Sequence, residues 1–336
     1  MAAGTPPVRR TTFHQGGSDT EITIRPSAGV DALYAPRRQV LDRLLVEAAA
    51  AAGADVRHET HVTGLLRDGA GRVRGVRALH HGRSVEVRAD LTVGADGVRS
   101  LVAQQVAAPV LKQGQHAGAV LYRYVRDLPT TGYEWAYGDR AAAGVIPTNG
   151  GEACVFVATT PQRLRSLRRS GSEAAFAMLL GAVHPPTADL VATATGDRLR
   201  GWAGVPGFVR QAWGPGWALV GDAGYHKDPI TTHGITDALL DADLLAGAVL
   251  ATTRGVPEQV AMAGYQATRD RLSRDLFAVT EEVASYDWDD AGLEPLLRRV
   301  SAAMSDEVDF LSAREDHGVV PDLSGKIRPD TAAVPG

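Results

Sequence analysis

The side chains best placed for chemistry lie in residues 217–238, which read WALVGDAGYHKDPITTHGITDA. The apolar run 217–220 predicts a short strand that is buried on both faces. Gly221 lets the backbone bend where this strand ends. Asp222 then places a carboxylate at the carboxyl end of the strand, where open α/β sheets bind their ligands. The segment therefore predicts a ligand site.

The second half of the same segment predicts a helix whose first turn faces that site. Pro229 stiffens the loop, and Gly234 precedes a stretch rich in Ala, Leu and Asp. The N-terminus of a helix offers unbonded N–H groups and a partial positive charge, which suit an electron-rich ligand edge. His226 and His233 suggest a metal, but no carboxylate or cysteine at useful spacing completes a ligand set. We therefore expect no metal site.

Two earlier segments carry further candidates. GADGVRS, residues 94–100, follows the short apolar run 91–93, and Asp96 within it serves either as a turn or helix-capping residue or as part of a ligand site. Arg38 opens a predicted helix, residues 38–52, with apolar side chains at helical spacing. It is either a solvated helix residue or a ligand contact.

The elements that must position these residues follow from periodicity and turn signals. Residues 118–200 have the texture of an antiparallel layer that walls a pocket, with one helix at 172–183. The predicted strands are 20–25, 56–58, 62–67, 73–80, 85–88, 91–93, 120–125, 134–137, 144–147 and 154–159, and further helices are expected at 258–280, 292–304 and 306–314. We expect a loose tail at 319–336.

Composition excludes several classes of protein. The chain has 336 residues, a net charge of −4, 44% hydrophobic and 22% charged residues, which is ordinary for a globular protein and gives no nucleic-acid footprint. No apolar stretch is long enough to span a membrane, and no signal peptide is recognisable. The single cysteine, Cys154, lies in an apolar run. It excludes an internal disulfide and favours the cytoplasm.

Taken together, three segments carry a family resemblance. They are Arg38-Gln-Val-Leu41, Gly94-Ala-Asp-Gly97, and Gly221-Asp-Ala223 with Pro229 and Gly234. In order and spacing they resemble the FAD-dependent monooxygenases and oxidoreductases of the para-hydroxybenzoate hydroxylase fold, over about residues 25–250. The resemblance implies an α/β (α+β) fold: a three-layer FAD/NAD(P)-binding domain, an inserted antiparallel-sheet substrate domain and C-terminal helices.

The resemblance also implies roles for individual residues. Arg38 matches the arginine that reaches the ribityl and pyrophosphate region of FAD, and Asp222, after Gly221, matches the carboxylate that bonds the ribityl hydroxyls. Pro229 matches the proline beside the isoalloxazine ring. Gly234 and Ile235 match the helix start that faces the N1 and O2 edge of the ring. Asp96 and Gly97 match the pair that supports the pyrophosphate side and the use of NAD(P)H.

The sequence departs from the family pattern in two loops and at its start. Many relatives have Ala-His where this chain has Gly224-Tyr225, and Gly-Gln-Gly-x-Asn where it has residues 232–236, THGIT. The strand, GxGxxG turn and helix that hold the ADP half of FAD do not precede Arg38. We expect a misassigned start, a truncated gene or a lost adenosine-binding corner.

The domain boundaries follow from the same resemblance. Residues 1–110 and 205–255 are expected to form a discontinuous FAD-binding domain, 111–204 the substrate-binding sheet, and 256–318 the C-terminal helices. The composition, rich in Ala, Gly and Arg, suggests a bacterial genome.

The leading functional hypothesis is a flavin-dependent monooxygenase that hydroxylates a medium-sized organic molecule, with NAD(P)H as electron donor. The same motifs would serve a flavin-dependent reductase or halogenase. A hypothesis from another class is a non-catalytic remnant or binding protein that kept the fold and lost its cofactor, which the missing GxGxxG element motivates.

Overall fold

The computed structural model describes residues 4–26, 29–138 and 140–315, so the predicted tail at 319–336 lies outside the described residues. Its strands are β1 Arg10–Gln15, β2 Ser18–Thr23, β3 Thr60–Arg67, β4 Val73–His80, β5 Arg83–Arg88, β6 Thr92–Gly94, β7 Val110–Gln113, β8 Ala119–Arg126, β9 Tyr133–Gly138, β10 Ala141–Pro147, β11 Glu152–Thr159, β12 Arg200–Trp202, β13 Phe208–Arg210, β14 Trp213–Gly214, β15 Trp217–Leu219 and β16 Tyr225–His226. Its α-helices are α1 Arg38–Ala51, α2 Leu101–Gln105, α3 Pro161–Leu167, α4 Ser172–Val183, α5 Pro185–Thr193, α6 Gly234–Thr253, α7 Glu258–Ala284 and α8 Asp290–Glu315.

A seven-stranded sheet dominates the middle of the chain, in the order β12-β8-β11-β10-β9-β1-β2. Its neighbours pair antiparallel except β1 and β9, which are parallel, with Thr11 opposite Tyr133. The predicted antiparallel layer is therefore present. The hairpin β1–β2 extends it, although it comes from the segment that the sequence analysis placed in the FAD-binding domain.

The two faces of this sheet pack on different helices. On one face, Val155 and Val157 of β11 pack with Phe176, Leu179 and other side chains of α4 in the largest apolar cluster. On the other face, Tyr137 and Ala142 pack with residues that follow α7 and begin α8. Burial of apolar surface on both faces stabilises the sheet and fixes the C-terminal helices against it.

A small three-stranded sheet, in the order β14-β15-β6, positions the motifs. Its strands β6 and β15 are parallel, with Leu219 opposite Gly94. Trp217, Ala218 and Leu219 are all buried, as expected for a strand covered on both faces. Helices α6 and α7 pack together beside this sheet through an apolar cluster that includes Leu244 and Tyr265.

The mixed α/β fold is confirmed, but several elements differ from the sequence-based predictions. Residues 56–58, predicted as a strand, have no strand partner in the structure. Strand β1 was missed because its alternation, RTTFHQ, is carried by threonines and a histidine rather than aliphatic side chains. The predicted helices 292–304 and 306–314 are one helix, α8, which continues through Ser305 without a break.

Helix α1 begins at Arg38 as predicted, yet none of its residues is buried. Leu44 and Leu45, which give it its apolar face, are both about half exposed. Within the described residues, none of the helices has the length and apolar character that a membrane crossing requires.

Candidate functional site

Two loops meet where the parallel strands β6 and β15 end. The N–H of Val220 donates to the carbonyl of Gly94 at 3.0 Å, so the loops that follow leave from the same edge of the sheet. One loop contains Asp96 and the other contains Asp222. The structure therefore brings the two predicted acidic residues to the carboxyl ends of neighbouring parallel strands, the usual place for a ligand in an open α/β sheet.

Gly221 makes the turn that carries Asp222. Its φ is +54°, and a Cβ at this position would lie 2.9 Å from the Cβ of Ala238 on α6. Its N–H donates to Oδ2 of the buried Asp241 on the same helix at 2.9 Å. The glycine is thus required both by its left-handed backbone and by the close approach of α6.

The carboxylate of Asp222 is open to a ligand, with its side chain 46% exposed. The nearest ionisable group is His226, whose Nδ1 lies 3.4 Å from Oδ2 of Asp222. The imidazole is buried, and neither of its nitrogens has a hydrogen-bond partner among the described residues. A buried polar ring without a partner beside an open carboxylate is a place where a ligand with hydroxyl groups fits.

Asp96 stabilises its own loop. Its Oδ2 accepts hydrogen bonds from the N–H groups of Leu101 at 2.7 Å and Val102 at 3.3 Å, so its carboxylate satisfies backbone donors in the first turn of α2. Gly97 follows with φ +75° and open space on its Cβ side. The helix-binding role of Asp96 is therefore observed, and the flavin role of Asp96 and Gly97 stays a prediction.

Arg210, which the sequence analysis missed, is bound to the loop that carries Asp222. Its Nη1 donates to the carbonyl of Ala223 at 2.8 Å. Burial lowers the pKa of Arg210, and the negative charge of Asp96 opposes that shift. Arg210 lies in a short strand of mixed residues, where no sequence pattern distinguishes it from other arginines.

Arg38 lies apart from these contacts. Its side chain is 71% exposed and bonds to Asp42, one turn along α1, at 2.9 and 3.2 Å. The preceding Arg37 is the anchored residue: it pairs with Glu152 and stacks on the ring of Tyr124 at 3.4 Å. The contact of Arg38 with FAD stays a prediction.

The loop before α6 is held by a buried aspartate. Asp228 accepts hydrogen bonds from the N–H groups of Gly118 and Ile230 and precedes Pro229, which opens a short 3₁₀ helix. Burial raises the pKa of Asp228. Thr232 then adopts φ +54°, a conformation that is costly for a β-branched residue and that the surrounding contacts must enforce.

Helix α6 begins as the sequence predicts. Gly234 has open space on its Cβ side, and Ile235 is about half exposed. The helical bonding starts with the N–H of Asp237, which donates to the carbonyl of His233 at 3.1 Å. The N–H groups before Asp237 are therefore available to a ligand.

A buried cluster of charges lies behind this helix start. Lys227 pairs with Asp237, and Nε2 of His233 lies 2.6 Å from Oε2 of Glu307, where Asp237 and Glu307 are both buried. Burial lowers the pKa of Lys227 to about 8 and raises that of Asp241 to about 7. Of these residues, the sequence analysis named only His233, as a metal candidate that it rejected.

Ligand atoms of His233, Asp237 and Glu307 all lie within 4.8 Å of one another, a spacing that suits a metal ion. The ammonium group of Lys227 already contacts the carboxylate of Asp237 and supplies the positive charge there. His233 and Glu307 bond to each other. The polar atoms of the cluster are therefore already bonded to one another, and we assign no metal to it.

An apolar pocket of about 300 Å³ lies between the large sheet, the loop before α6 and the C-terminal helices. Its side chains are aromatic, aliphatic or hydroxyl-bearing, and they are Thr11, Phe13, Leu33, Tyr133, Trp135, Tyr137, Ile230, Thr231, Thr232, Val283, Leu297, Val300, Ser301 and Met304. Burial raises the pKa of Tyr133 to about 12, so this phenol stays neutral. The lining residues thus present no charge at neutral pH.

Residues 118–200, which were predicted to wall a pocket, supply only one wall of this one, through Tyr133, Trp135 and Tyr137 on β9. The opposite wall comes from α8, and β1 contributes Thr11 and Phe13. The sequence analysis missed both contributions because neither element is close to β9 in the chain. Oγ1 of Thr11 accepts a hydrogen bond from Nε1 of Trp135 at 2.9 Å, which fixes the indole in the wall.

Comparison with known proteins decides the family. A family model described as an FAD binding domain matches residues 2–280, most of the chain. The chain belongs to the FAD binding domain family. Three observations fit FAD. The carboxylate of Asp222 is exposed, the helix start at Gly234 has open space and N–H groups without partners in the helix, and the buried ring of His226 has no hydrogen-bond partner among the described residues.

The FAD binding domain is shared with enzymes of more than one activity. The digeranylgeranylglycerophospholipid reductase of Methanosarcina mazei is 32% identical over 243 residues, which cover 70% of this chain and 57% of that protein. This chain thus spans less than two thirds of that curated relative's length.

Solved structures share the fold. The flavin-dependent brominase Bmp2 superposes with a TM-score of 0.73 at 18% identity, over 94% of this chain and 83% of that chain. PqsL of Pseudomonas aeruginosa, a probable FAD-dependent monooxygenase, gives a TM-score of 0.65 at 21% identity, over 90% of this chain and 83% of that chain. These likenesses confirm the para-hydroxybenzoate hydroxylase fold.

Proposed function

We propose that the protein is a flavin-dependent monooxygenase that acts on an uncharged, apolar organic molecule. The observation that carries this proposal is the pocket of about 300 Å³, whose wall includes residues of the loop that leads into α6. If FAD lies along Asp222 and the start of α6, its ring meets that loop, and the apolar pocket opens beside it. Pockets of this size and lining bind small organic molecules.

The residues that would hold FAD are those with open polar groups. Asp222 would accept hydrogen bonds from the ribityl hydroxyls, and the N–H groups at Gly234 and Ile235 would face the ring edge that becomes negative on reduction. Pro229 would lie beside the ring, and Asp96 and Gly97 beside the pyrophosphate. Bound FAD supplies the electron transfer and the activation of oxygen, which no side chain of the pocket can perform.

The pocket's own contribution is to orient the substrate and exclude water. Its lining holds tyrosines and hydroxyls but none of the carboxylates, lysines or histidines that act as general bases at neutral pH. A substrate that must lose a proton would find no base there. An apolar substrate that binds by surface burial, with one hydrogen bond to Thr231 or Ser301, suits this site.

The electron donor and the compartment are part of the same proposal. The loop of Asp96 and Gly97, which the resemblance connects with nicotinamide use, supports NAD(P)H as the donor. Cys154 is partly buried on β11, and burial raises its pKa to about 12. The support for a reducing cytoplasm is that a sole cysteine can form no internal disulfide.

A second candidate is a flavin-dependent reductase of carbon–carbon double bonds. The likeness to the Methanosarcina mazei reductase favours it, and an uncharged pocket suits an apolar chain as well as it suits a ring. The two functions differ in their use of oxygen: a monooxygenase consumes one O₂ for each substrate molecule, and a reductase consumes none in forming its product.

The first test is a titration of the purified chain with FAD, followed by the flavin absorbance and fluorescence quenching. We expect stoichiometric binding, and we expect Asp222→Asn to weaken it by at least about tenfold because a charged acceptor contributes about 1.5–3 kcal/mol. Asp189→Asn, an exposed change on α5, is the matched control and should bind as the native chain does. Absence of binding by the native chain would favour the non-catalytic remnant.

The second test measures oxygen uptake and product with NADH or NADPH and a panel of apolar substrates. Oxygen consumption that matches hydroxylated product supports the monooxygenase, and product formation under nitrogen supports the reductase. A preference for charged aromatic acids over neutral molecules would contradict the reading of the pocket.

A further inference from the structure

A buried carboxylate on α8 fixes the residue that immediately precedes α6. Oε2 of Glu307 lies 2.6 Å from Nε2 of His233, and the carboxylate side chain is only 2% exposed. The two residues are far apart in the chain: His233 ends the loop before α6, and Glu307 lies on α8. Burying a carboxylate is costly unless it is paired, so this contact is a strong constraint on both residues.

The constrained residue occupies the position from which α6 starts. His233 is the residue before the first turn of the helix, and its side chain makes no capping hydrogen bond to that helix. It is preceded by Thr232, whose φ is +54°. A threonine in this conformation must be held by its surroundings, and the hydrogen bond from His233 to Glu307 is the first side-chain contact after it.

Helix α8 also forms a wall of the apolar pocket. Leu297, Val300, Ser301 and Met304 line the pocket at helical spacing, and Glu307 follows Met304 at the same spacing on the same face. One helix therefore both bounds the pocket and holds the start of α6.

We propose that Glu307 is a positioning residue for the flavin: through His233 it holds the first turn of α6 so that its N–H groups face the ring edge that becomes negative on reduction. This inference rests on the proposed function. A misaligned helix start stabilises that negative charge less, so loss of Glu307 should lower the preference for reduced over oxidised flavin.

The direction in which the flavin's midpoint potential changes on loss of Glu307 separates the positioning role from a direct effect of its charge. Glu307 is itself negative, so if it acted only by its charge, its removal would make reduction of the flavin easier and would raise the midpoint potential. If it acts by alignment, its removal makes reduction harder and lowers the potential. If it only stabilises the fold, the potential of the folded protein stays unchanged.

The experiment is a redox titration of the FAD-loaded full chain and its Glu307→Met variant, followed by flavin absorbance. Methionine is similar in length to glutamate and removes the carboxylate acceptor of the hydrogen bond with His233. We expect a tenfold loss of preference for the reduced form, which is a fall of about 30 mV for a two-electron couple. Glu294→Met, which changes an exposed glutamate of α8 paired with Arg298, is the matched control and should leave the potential unchanged.

His233→Ala removes the same hydrogen bond from its other end and provides the result if Glu307→Met fails to fold. It should lower the potential in the same direction. An unchanged or raised potential in the folded variant would overturn the inference while leaving the proposed function standing. Failure of the native chain to bind FAD would overturn both.

Discussion

Gly221 makes the turn that exposes the carboxylate of its neighbour, Asp222. The turn at Gly221 has a left-handed backbone and contacts α6, and it leaves the neighbouring carboxylate about half exposed at the end of β15. An aspartate in a regular strand would instead point to one face of the sheet. The position of the carboxylate thus depends on a residue that has no side chain.

Substitution of Gly221 should therefore be costly. Gly221→Ala combines the strain of a positive φ with a Cβ 2.9 Å from that of Ala238, and we expect the free energy of unfolding to fall by about 2 kcal/mol or more. Thermal and urea unfolding measure this. Gly264→Ala, at an open position within α7, is the matched control and should raise stability by about 0.5–1 kcal/mol. Equal effects of the two changes would contradict the argument.

Single residues also show what the sequence could predict. The positions of Asp222, Gly221 and the start of α6 at Gly234 followed from local chemistry, because each lies next to the element that positions it. Glu307 could not be found in this way, because its partner His233 lies in the loop before α6, far away in the chain, and only tertiary packing brings them together. Arg38 was chosen by its place in a motif, but its observed partner is Asp42, a contact within its own helix.

At the scale of elements, α8 has a larger role than its sequence suggested. It was predicted as two helices of unremarked function, and it is one helix that bounds the apolar pocket and carries Glu307. Its periodicity could predict a helix and an apolar face. The residues that this face contacts, on β1 and β9, depend on how distant segments of the chain meet, and periodicity does not contain that information.

The pocket wall on α8 gives a test at this scale. Ser301 lines the pocket and is an exposed residue of α8, so Ser301→Phe places a ring in the pocket. We expect apolar ligands to bind at least tenfold more weakly while FAD binding is retained. Quenching of the tryptophan fluorescence by added ligand, to which Trp135 in the pocket wall contributes, measures the change. Ser305→Phe, one turn further along α8 and outside the pocket lining, is the matched control. A similar loss in both variants would indicate damage to the helix rather than filling of the pocket.

At the scale of the whole molecule, the buried charges connect stability to pH. Burial raises the pKa of Asp241 to about 7 in the folded protein, well above its usual value of 3.8. The folded state then binds a proton more tightly than the unfolded state, so the contribution of this group to stability is present at low pH and is lost as pH rises from about 4 to 7. The pKa of Lys227 is lowered from 10.5 to about 8, so the contribution of this group to stability changes at higher pH, above the range in which Asp241 titrates.

Asp241→Asn isolates this effect, because an amide oxygen still accepts the N–H of Gly221 but does not titrate. We expect the stability of the native chain to fall relative to the variant between about pH 4 and 7. Urea unfolding of both proteins at several pH values in this window measures the difference. A difference that is constant with pH would show that Asp241 titrates normally in the folded protein.

The parallel pairing of β1 with β9 also governs the order in which the chain can fold. Thr11 pairs with Tyr133, which follows roughly 120 residues later in the chain. The hairpin β1–β2 therefore gains its neighbour in the large sheet only after that residue has been synthesised. During synthesis the hairpin emerges before β9 and stays without its neighbouring strand until β9 has followed. Thr11 and Phe13 can line the pocket only once β9 is present, and α8, which forms the opposite wall, is synthesised later still, so the pocket can be complete only when residues far apart in the chain have all been made.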